Sequence, residues 1–304
     1  MSTRASRPFN VPDLPIDSRI RVFRRLFSAP GEFDELQVDA YCITTRNFLI
    51  ICDTLLCPED LQFMLHTMQD QLAGRQLLII NSHADWDHSW GNSYIQTTTA
   101  HNALLIAHTL CAPRMDTAEN RAFLQEYQQR FPLFKNVAIT TPRLAFSNTL
   151  SLDGGDLQLE LLHTPGHCDE HCSLWLPELR LLLAFDAAES PFPTIGNAAS
   201  VAAMLTSLTT LAALQPVTVL CSHGRTSNPD ILTKNLTYIH TIEQRARALL
   251  HSQHPDSQQL EPAAEALHYP YEEVIADHTD TIDHLYYREM HEQNVRHILQ
   301  SLSP

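Results

Sequence analysis

Apolar residues in this chain gather in short, unbroken runs, and the runs end in polar side chains suited to chemistry. Leu77-Leu78-Ile79-Ile80-Asn81 is continuous and β-rich, the pattern of a strand covered on both faces. Phe48 to Leu55, Leu157 to Leu162, Leu181 to Phe185 and Val217 to Cys221 read the same way, and Ile20 to Phe27 and Leu36 to Thr44 add two more strands. Helices are predicted over Pro58 to Gly74, which has a proline near its start and a glycine stop, around Asn102 to His108 and Ala118 to Gln129, and over Ala198 to Leu214. Asp153-Gly154-Gly155-Asp156 and Pro177-Glu178-Leu179-Arg180 mark hairpins. The last part changes character: Ile231 to Ser252, Tyr271 to Asp277 and Asp280 to Leu302 are helical in pattern, with the polar stretch His254 to Pro262 after the first. Periodicity alone gives an α/β or α+β fold, with residues 1–228 as one unit and 229–304 as a helical extension packed on it.

Composition narrows the function classes. The chain has 304 residues, 44% of them hydrophobic, enough to bury one large core. A formal net charge of −15 with no basic stripe argues against a nucleic-acid partner. The N-terminal residues lack the apolar core of a secretory signal, and no run approaches the roughly 18 apolar residues of a membrane span. Seven cysteines form an odd set without compact disulfide spacing, which suits a reducing compartment. Cytoplasmic placement and a small-molecule substrate are the expectation, with the C-terminal helices as a candidate homodimer surface.

The chemistry concentrates where the apolar runs stop. His83-Ala84-Asp85-Trp86-Asp87-His88, followed by Gly91-Asn92, places two imidazoles and two carboxylates at the mouth of a predicted strand. Neutral imidazole and ionised carboxylate together suit Zn²⁺, Fe²⁺ or Mn²⁺. Comparable strand ends carry His163-Thr164-Pro165-Gly166-His167, Asp186 and His223-Gly224.

In their order and spacing these motifs resemble those of the metallo-β-lactamase fold superfamily: HxHxDH, then GH, then Asp, then a last His. The resemblance runs from about Val38 to His223. It implies a four-layer αββα sandwich and two divalent metal ions, zinc first with iron or manganese in contention. It also implies a first metal held by His83, Asp85 and His167, a second by Asp87, His88 and His223, and Asp186 as the bridge. Asp85 stands where the family usually has a second histidine, which adds a negative charge and a hard oxygen. The implied activity is hydrolysis of a small-molecule ester, thioester, lactone or phosphoester by a hydroxide bridging the metals, with Asp87 orienting it. One alternative is a di-iron oxidoreductase like the flavodiiron branch, which has an acid at the same motif position. The chain has only 8 glycines and no Gly-rich loop for a flavin, so that role needs an outside electron donor. The other alternative is a metal-binding sensor or inactive relative.

Further candidates surround this set. Asp53 is either a turn residue or a partner of a metal-bound imidazole. Arg225 is a candidate grip for a substrate anion, Trp86 and Phe192 are candidate substrate contacts, and Trp90 is placed with the packing of the motif loop. Cys168, Cys172 and Cys221 are read chiefly as small buried thiols. The pairs His284 with His291 and His101 with His108 are read as packed or solvated helix faces.

Overall fold

The computed structural model describes residues 4–97, 103–253 and 262–303. The N-terminal sheet contains β1 (Arg4–Ala5), β2 (Phe9–Asn10), β3 (Ile20–Ala29), β4 (Phe33–Thr44), β5 (Phe48–Cys52), β6 (Gln76–Ile80), β7 (Leu104–His108) and β8 (Leu144–Phe146). The second sheet contains β9 (Thr149–Asp153), β10 (Gln158–His163), β11 (Cys172–Leu176), β12 (Leu181–Leu183) and β13 (Thr218–Leu220). Their orders are β1-β3-β4-β5-β6-β7-β8, with β2 also on β3, and β13-β12-β11-β10-β9. Strands β5 to β8 run parallel, as do β12 and β13. Parallel neighbours end at the same edge of a sheet, so the polar residues that close each run arrive together.

The continuous apolar runs are explained by burial on two faces. In β5 and β6, Leu49, Ile51, Leu77 and Ile79 face one cluster shared with α1 (Pro58–Thr67). Ile50, Cys52, Leu78 and Ile80 face the opposite sheet, where Leu159, Leu161, Leu174, Leu181 and Leu183 meet them. On the far side of the second sheet, Leu182, Trp175 and Val219 pack into a third cluster. The result is a helix-sheet-sheet-helix sandwich, as the resemblance implies.

The motif turn continues β6 into two single-turn helices, α2 (Trp86–Ser89) and α3 (Tyr94–Thr97). Next come α4 (Cys111–Met115) and α5 (Ala118–Arg130), with Thr117 capping α5 through the Asn120 N–H. The outer face of the second sheet carries α6 (Val201–Ala213), α7 (Asp230–Gln253), α8 (Ala263–Ala266), α9 (Tyr271–Val274) and α10 (His284–Leu302). Residues from α6, α7, α8, α9 and α10 all enter one cluster with that sheet, so the C-terminal helices share its core. Among the described residues, no helix is long and apolar enough to cross a membrane.

Two sequence expectations change. The helix expected around Asn102 to His108 is strand β7, because Leu104, Leu105 and Ile106 pair with β6; Asn102 itself, like His101, lies outside the described residues. The strand expected to reach Leu55 stops at Cys52, where Asp53 (φ 63°) and Leu55 (φ 60°) take left-handed backbone. Aspartate tolerates that region better than β-branched residues do. Of the polar stretch from His254, residues 254–261 lie outside the described residues.

Candidate metal centre

The turns after β5, β6, β10, β12 and β13 converge at one edge of the sandwich, and the two sheets are tied there. Asp39 N–H donates to the Ser222 carbonyl at 2.9 Å, Tyr41 Oη to the Cys221 carbonyl at 2.6 Å, and Cys172 N–H to the Ser82 carbonyl at 2.8 Å. Gly224 (φ 114°) follows His223 where a Cβ would stand 2.5 Å from Ser190 Cβ, so the turn that aims His223 needs glycine.

Seven predicted side chains meet in this space. His83, Asp85 and His167 form one group, Asp87, His88 and His223 a second, and His83, His88 and Asp186 a third that joins them. Asp186 Oδ2 lies 3.5 Å from His83 Nε2, 3.7 Å from His167 Nε2, 3.2 Å from His88 Nε2 and 3.4 Å from His223 Nε2. Asp85 Oδ2 lies 3.3 Å from His83 Nε2 and 3.1 Å from His167 Nε2. Asp87 Oδ2 is 3.4 Å from both His88 and His223 Nε2.

The surrounding hydrogen bonds fix how each ring faces inward. His223 Nδ1–H donates to the Gln37 carbonyl at 2.7 Å, and His88 Nδ1–H to Asp53 Oδ2 at 3.0 Å. Asp53 is fully buried and also accepts from Ser82 N–H and Ser82 Oγ, each at 2.7 Å. Having donated to Asp53, Ser82 Oγ accepts from His83 Nδ1–H at 2.8 Å. Thr194 Oγ1 donates to Glu189 Oε1 and accepts from His167 Nδ1–H, both at 2.7 Å. With every Nδ1–H committed, each neutral ring turns an Nε2 lone pair toward carboxylate oxygen. That arrangement is repulsive unless a cation or proton lies between. His83 Nε2, His88 Nε2 and Asp186 Oδ1 are indeed buried without a hydrogen-bond partner, so four imidazoles and three carboxylates fit divalent metal.

The electrostatics agree. Burial would raise Asp85, Asp87 and Asp186, yet the imidazoles, and Arg114 at Asp85, hold all three carboxyls below the usual range. Burial likewise opposes protonation of the rings, but the carboxylates push His88 and His223 well above the ordinary histidine value and His167 up to about 9. Metal binding therefore has to displace protons.

Several participants were not singled out by the sequence. Arg114 reaches from α4 to place Nη2 2.6 Å from Asp85 Oδ1, while its other terminal nitrogen pairs with buried Glu170. His171 Nε2 accepts the Asp186 N–H at 3.2 Å, and burial lowers that ring's pKa well below the ordinary histidine value, keeping it neutral. Tyr287, on α10, donates to Glu189 Oε2 at 2.9 Å, completing a path from α10 through Glu189 and Thr194 to His167. An acid three residues after Asp186 within an apolar stretch was the one available signal for Glu189. Nothing local marked Arg114.

Other candidates fall elsewhere. Phe192, expected at the rim, is fully buried and stacked on Tyr238 at 4.5 Å and 10°, because the C-terminal helices cover its loop. Trp86 packs on Phe27, Phe33 and Trp90 while one side lines a cavity; Trp90 is buried. Arg225 pairs with Glu35 at 3.6 Å beside His223. Cys168, Cys172 and Cys221 are buried and outside the metal groups. His291 is packed between Tyr238 Oη and the Tyr269 carbonyl, and His284 meets Tyr271 Oη. His108 donates to the Ser147 carbonyl at 2.8 Å and stacks on His163.

The sequence model described as Metallo-beta-lactamase superfamily matches residues 33–223. No curated protein matches the sequence significantly. Among solved structures, a metallo-beta-lactamase family protein from Thermus thermophilus is 18% identical, with 93% of each chain covered and a TM-score of 0.63. A metallo-beta-lactamase from Pontibacter korlensis is 17% identical, covering 74% of this chain and 96% of its own, with a TM-score of 0.59. The mono-zinc form of a Pseudomonas aeruginosa metallo-beta-lactamase is 13% identical, covering 76% and 94%, also with a TM-score of 0.59.

Proposed function

This chain belongs to the metallo-beta-lactamase superfamily, whose members are typically metal-dependent hydrolases, and from that premise we propose that it is a dinuclear hydrolase of small-molecule esters, thioesters, lactones or phosphoesters. The observation that carries the reading is the position of Asp186 Oδ2, within 3.2 to 3.7 Å of all four Nε2 atoms and between two ligand triads. His83, Asp85 and His167 would hold one ion, Asp87, His88 and His223 the other, with Asp186 shared. When bound, such ions supply Lewis acidity and lower the pKa of a coordinated water toward roughly 7. Zinc is the first choice for this donor set, and the one zinc in the Pseudomonas aeruginosa structure is in keeping with it.

The chain's own residues supply orientation and a proton donor. Asp87, between His88 and His223, orients the attacking water. Tyr286, in the first turn of α10, packs against Phe33 and Tyr287, and its hydroxyl has no hydrogen-bond partner among the described residues. Burial, followed by the charges of Glu189, Asp87, Asp186 and Asp85, holds this phenol well above its ordinary pKa, so it stays protonated and able to donate. We assign it to the oxyanion or leaving group, where loss of one such donor costs about 10²–10³ in turnover.

Elemental analysis of protein purified with and without oxygen, with an absorption spectrum, tests the reading. About two zinc or manganese per chain, no visible bands and turnover on an ester, thioester and phosphoester panel support it. Iron with a redox-sensitive band would instead favour the di-iron oxidoreductase that the Asp85 oxygen donor also suits, and protein that takes up no metal would favour a sensor or inactive relative.

A further inference from the structure

Beside the metal centre lies a cavity of about 130 Å³ whose apolar wall is made by Ala84, Trp86, Trp90, Met115, Phe123 and Ile139. Asp85 belongs to both places: its Oδ2 faces His83 and His167, and the same side chain lines the cavity. A group bound at the first metal position therefore has this space as its neighbour.

Several polar side-chain groups along the wall are already engaged. Ser89 Oγ donates to the carbonyls of Ala84 and Asp85 at 3.0 and 2.9 Å, and Thr140 Oγ1 to the Ala138 carbonyl at 3.1 Å. Asn120 Nδ2 donates to the Arg114 carbonyl at 2.5 Å, and Asp85 Oδ1 is held by Arg114. Against the six apolar side chains of the wall, an apolar occupant gains by leaving water, whereas a polar one gives up water there without replacement. In size the space is close to the roughly 150 Å³ apolar cavity that accepts a benzene ring.

We propose that this cavity receives the acyl group of the substrate, and that the group is a short aliphatic chain of about four to six carbons or a single aromatic ring. This deepens the hydrolase reading and rests on it.

The test is a chain-length series. With zinc-loaded enzyme and aryl esters and thioesters from acetyl to dodecanoyl, kcat/KM should rise roughly fourfold per added methylene until the cavity is full, then fall. Ile139→Phe narrows the space and should collapse the hexanoyl-to-acetyl ratio toward one. Ile139→Ala widens it and should move the optimum to longer chains, a gain that misfolding cannot imitate. A flat series, or one optimum shared by both variants and the parent, overturns the proposal. If no ester or thioester is cleaved, that hydrolase reading fails, and the cavity is judged by binding alone. Calorimetry with acetate, butanoate and hexanoate on the zinc-loaded protein should then still show the fourfold step per methylene. Equal affinities would reject the cavity as an acyl site.

Discussion

Replacing Asp85 by histidine restores the residue that the family pattern has at this position, and the structure predicts that the change harms the site. Arg114 Nη2 stands 2.6 Å from Asp85 Oδ1, and the guanidinium is also paired with Glu170. With charge centres about 4 Å apart, an effective dielectric of about 20 gives roughly 4 kcal/mol of attraction. The Arg114 side chain is 38% exposed, so solvent and salt reduce this to about 1–2 kcal/mol. A histidine at 85 forfeits that attraction and sets an imidazole, and any metal on it, beside a guanidinium left with Glu170 as its one carboxylate partner. The expected loss in metal affinity at the first position is about 5- to 30-fold. Arg114→Gln in the same chain should recover much of it, because the repelling charge is gone. The assay is zinc competition with a chromophoric chelator on four proteins: parent, D85H, R114Q and the double variant. Coupling of about 1–2 kcal/mol between the two sites is expected. Additivity within about 0.5 kcal/mol, or tighter zinc binding by D85H while Arg114 is present, would refute the argument.

Asp186→Ala should strip metal from both positions together, read as equivalents per chain after dialysis; retention of one full equivalent would contradict a shared carboxylate. Gly91→Ala would place a Cβ 2.0 Å from the Thr54 carbonyl oxygen, so the motif loop must shift, and urea unfolding should show a loss of about 1–3 kcal/mol. Tyr287→Phe removes one donor from the buried Glu189 carboxylate and should cost about 1.5–3 kcal/mol of stability, with a fall in zinc affinity through Thr194 and His167; wild-type affinity would sever that path. In chelator-treated protein, His167 is raised from 6.5 to about 9. Its stabilising contribution is therefore complete below about pH 6.5 and lost as pH rises through about 9. Zinc affinity should climb over the same interval, because binding displaces that proton. Melting curves of metal-free protein against pH, and chelator competition at each pH, would expose a wrong sign.

The side chains that converge at the candidate metal centre were legible because they are written where strands end. A run such as Leu77 to Ile80 announces a strand covered on both sides, and parallel pairing with β5 and β7 forces its last residues to the same edge as Asp53 and His108. The same logic could not place Phe192, since an exposed-looking Pro191-Phe192-Pro193 loop is covered by helices that start dozens of residues later. Nor could it separate β7 from a helix, because a short apolar run satisfies either period until its neighbours are known.

What surrounds the ligands was hidden for a different reason. Glu189 and Tyr287 are 98 residues apart, Ala84 and Glu170 are 86 apart, and no periodicity links such pairs. Yet these contacts give the Asp85 substitution its meaning. A carboxylate in place of an imidazole adds one negative charge at the first position, and Arg114 adds one positive charge 2.6 Å away. The pair together carries the charge of the neutral imidazole it replaces, while Glu170 anchors the guanidinium and takes the Ala84 N–H at 3.2 Å. Read alone, Asp85 looks like either a change of metal or a spoiled site. Read with Arg114 and Glu170, it is one of two carboxylates that share a single guanidinium, so its charge at the site is met by a partner fixed from its other side.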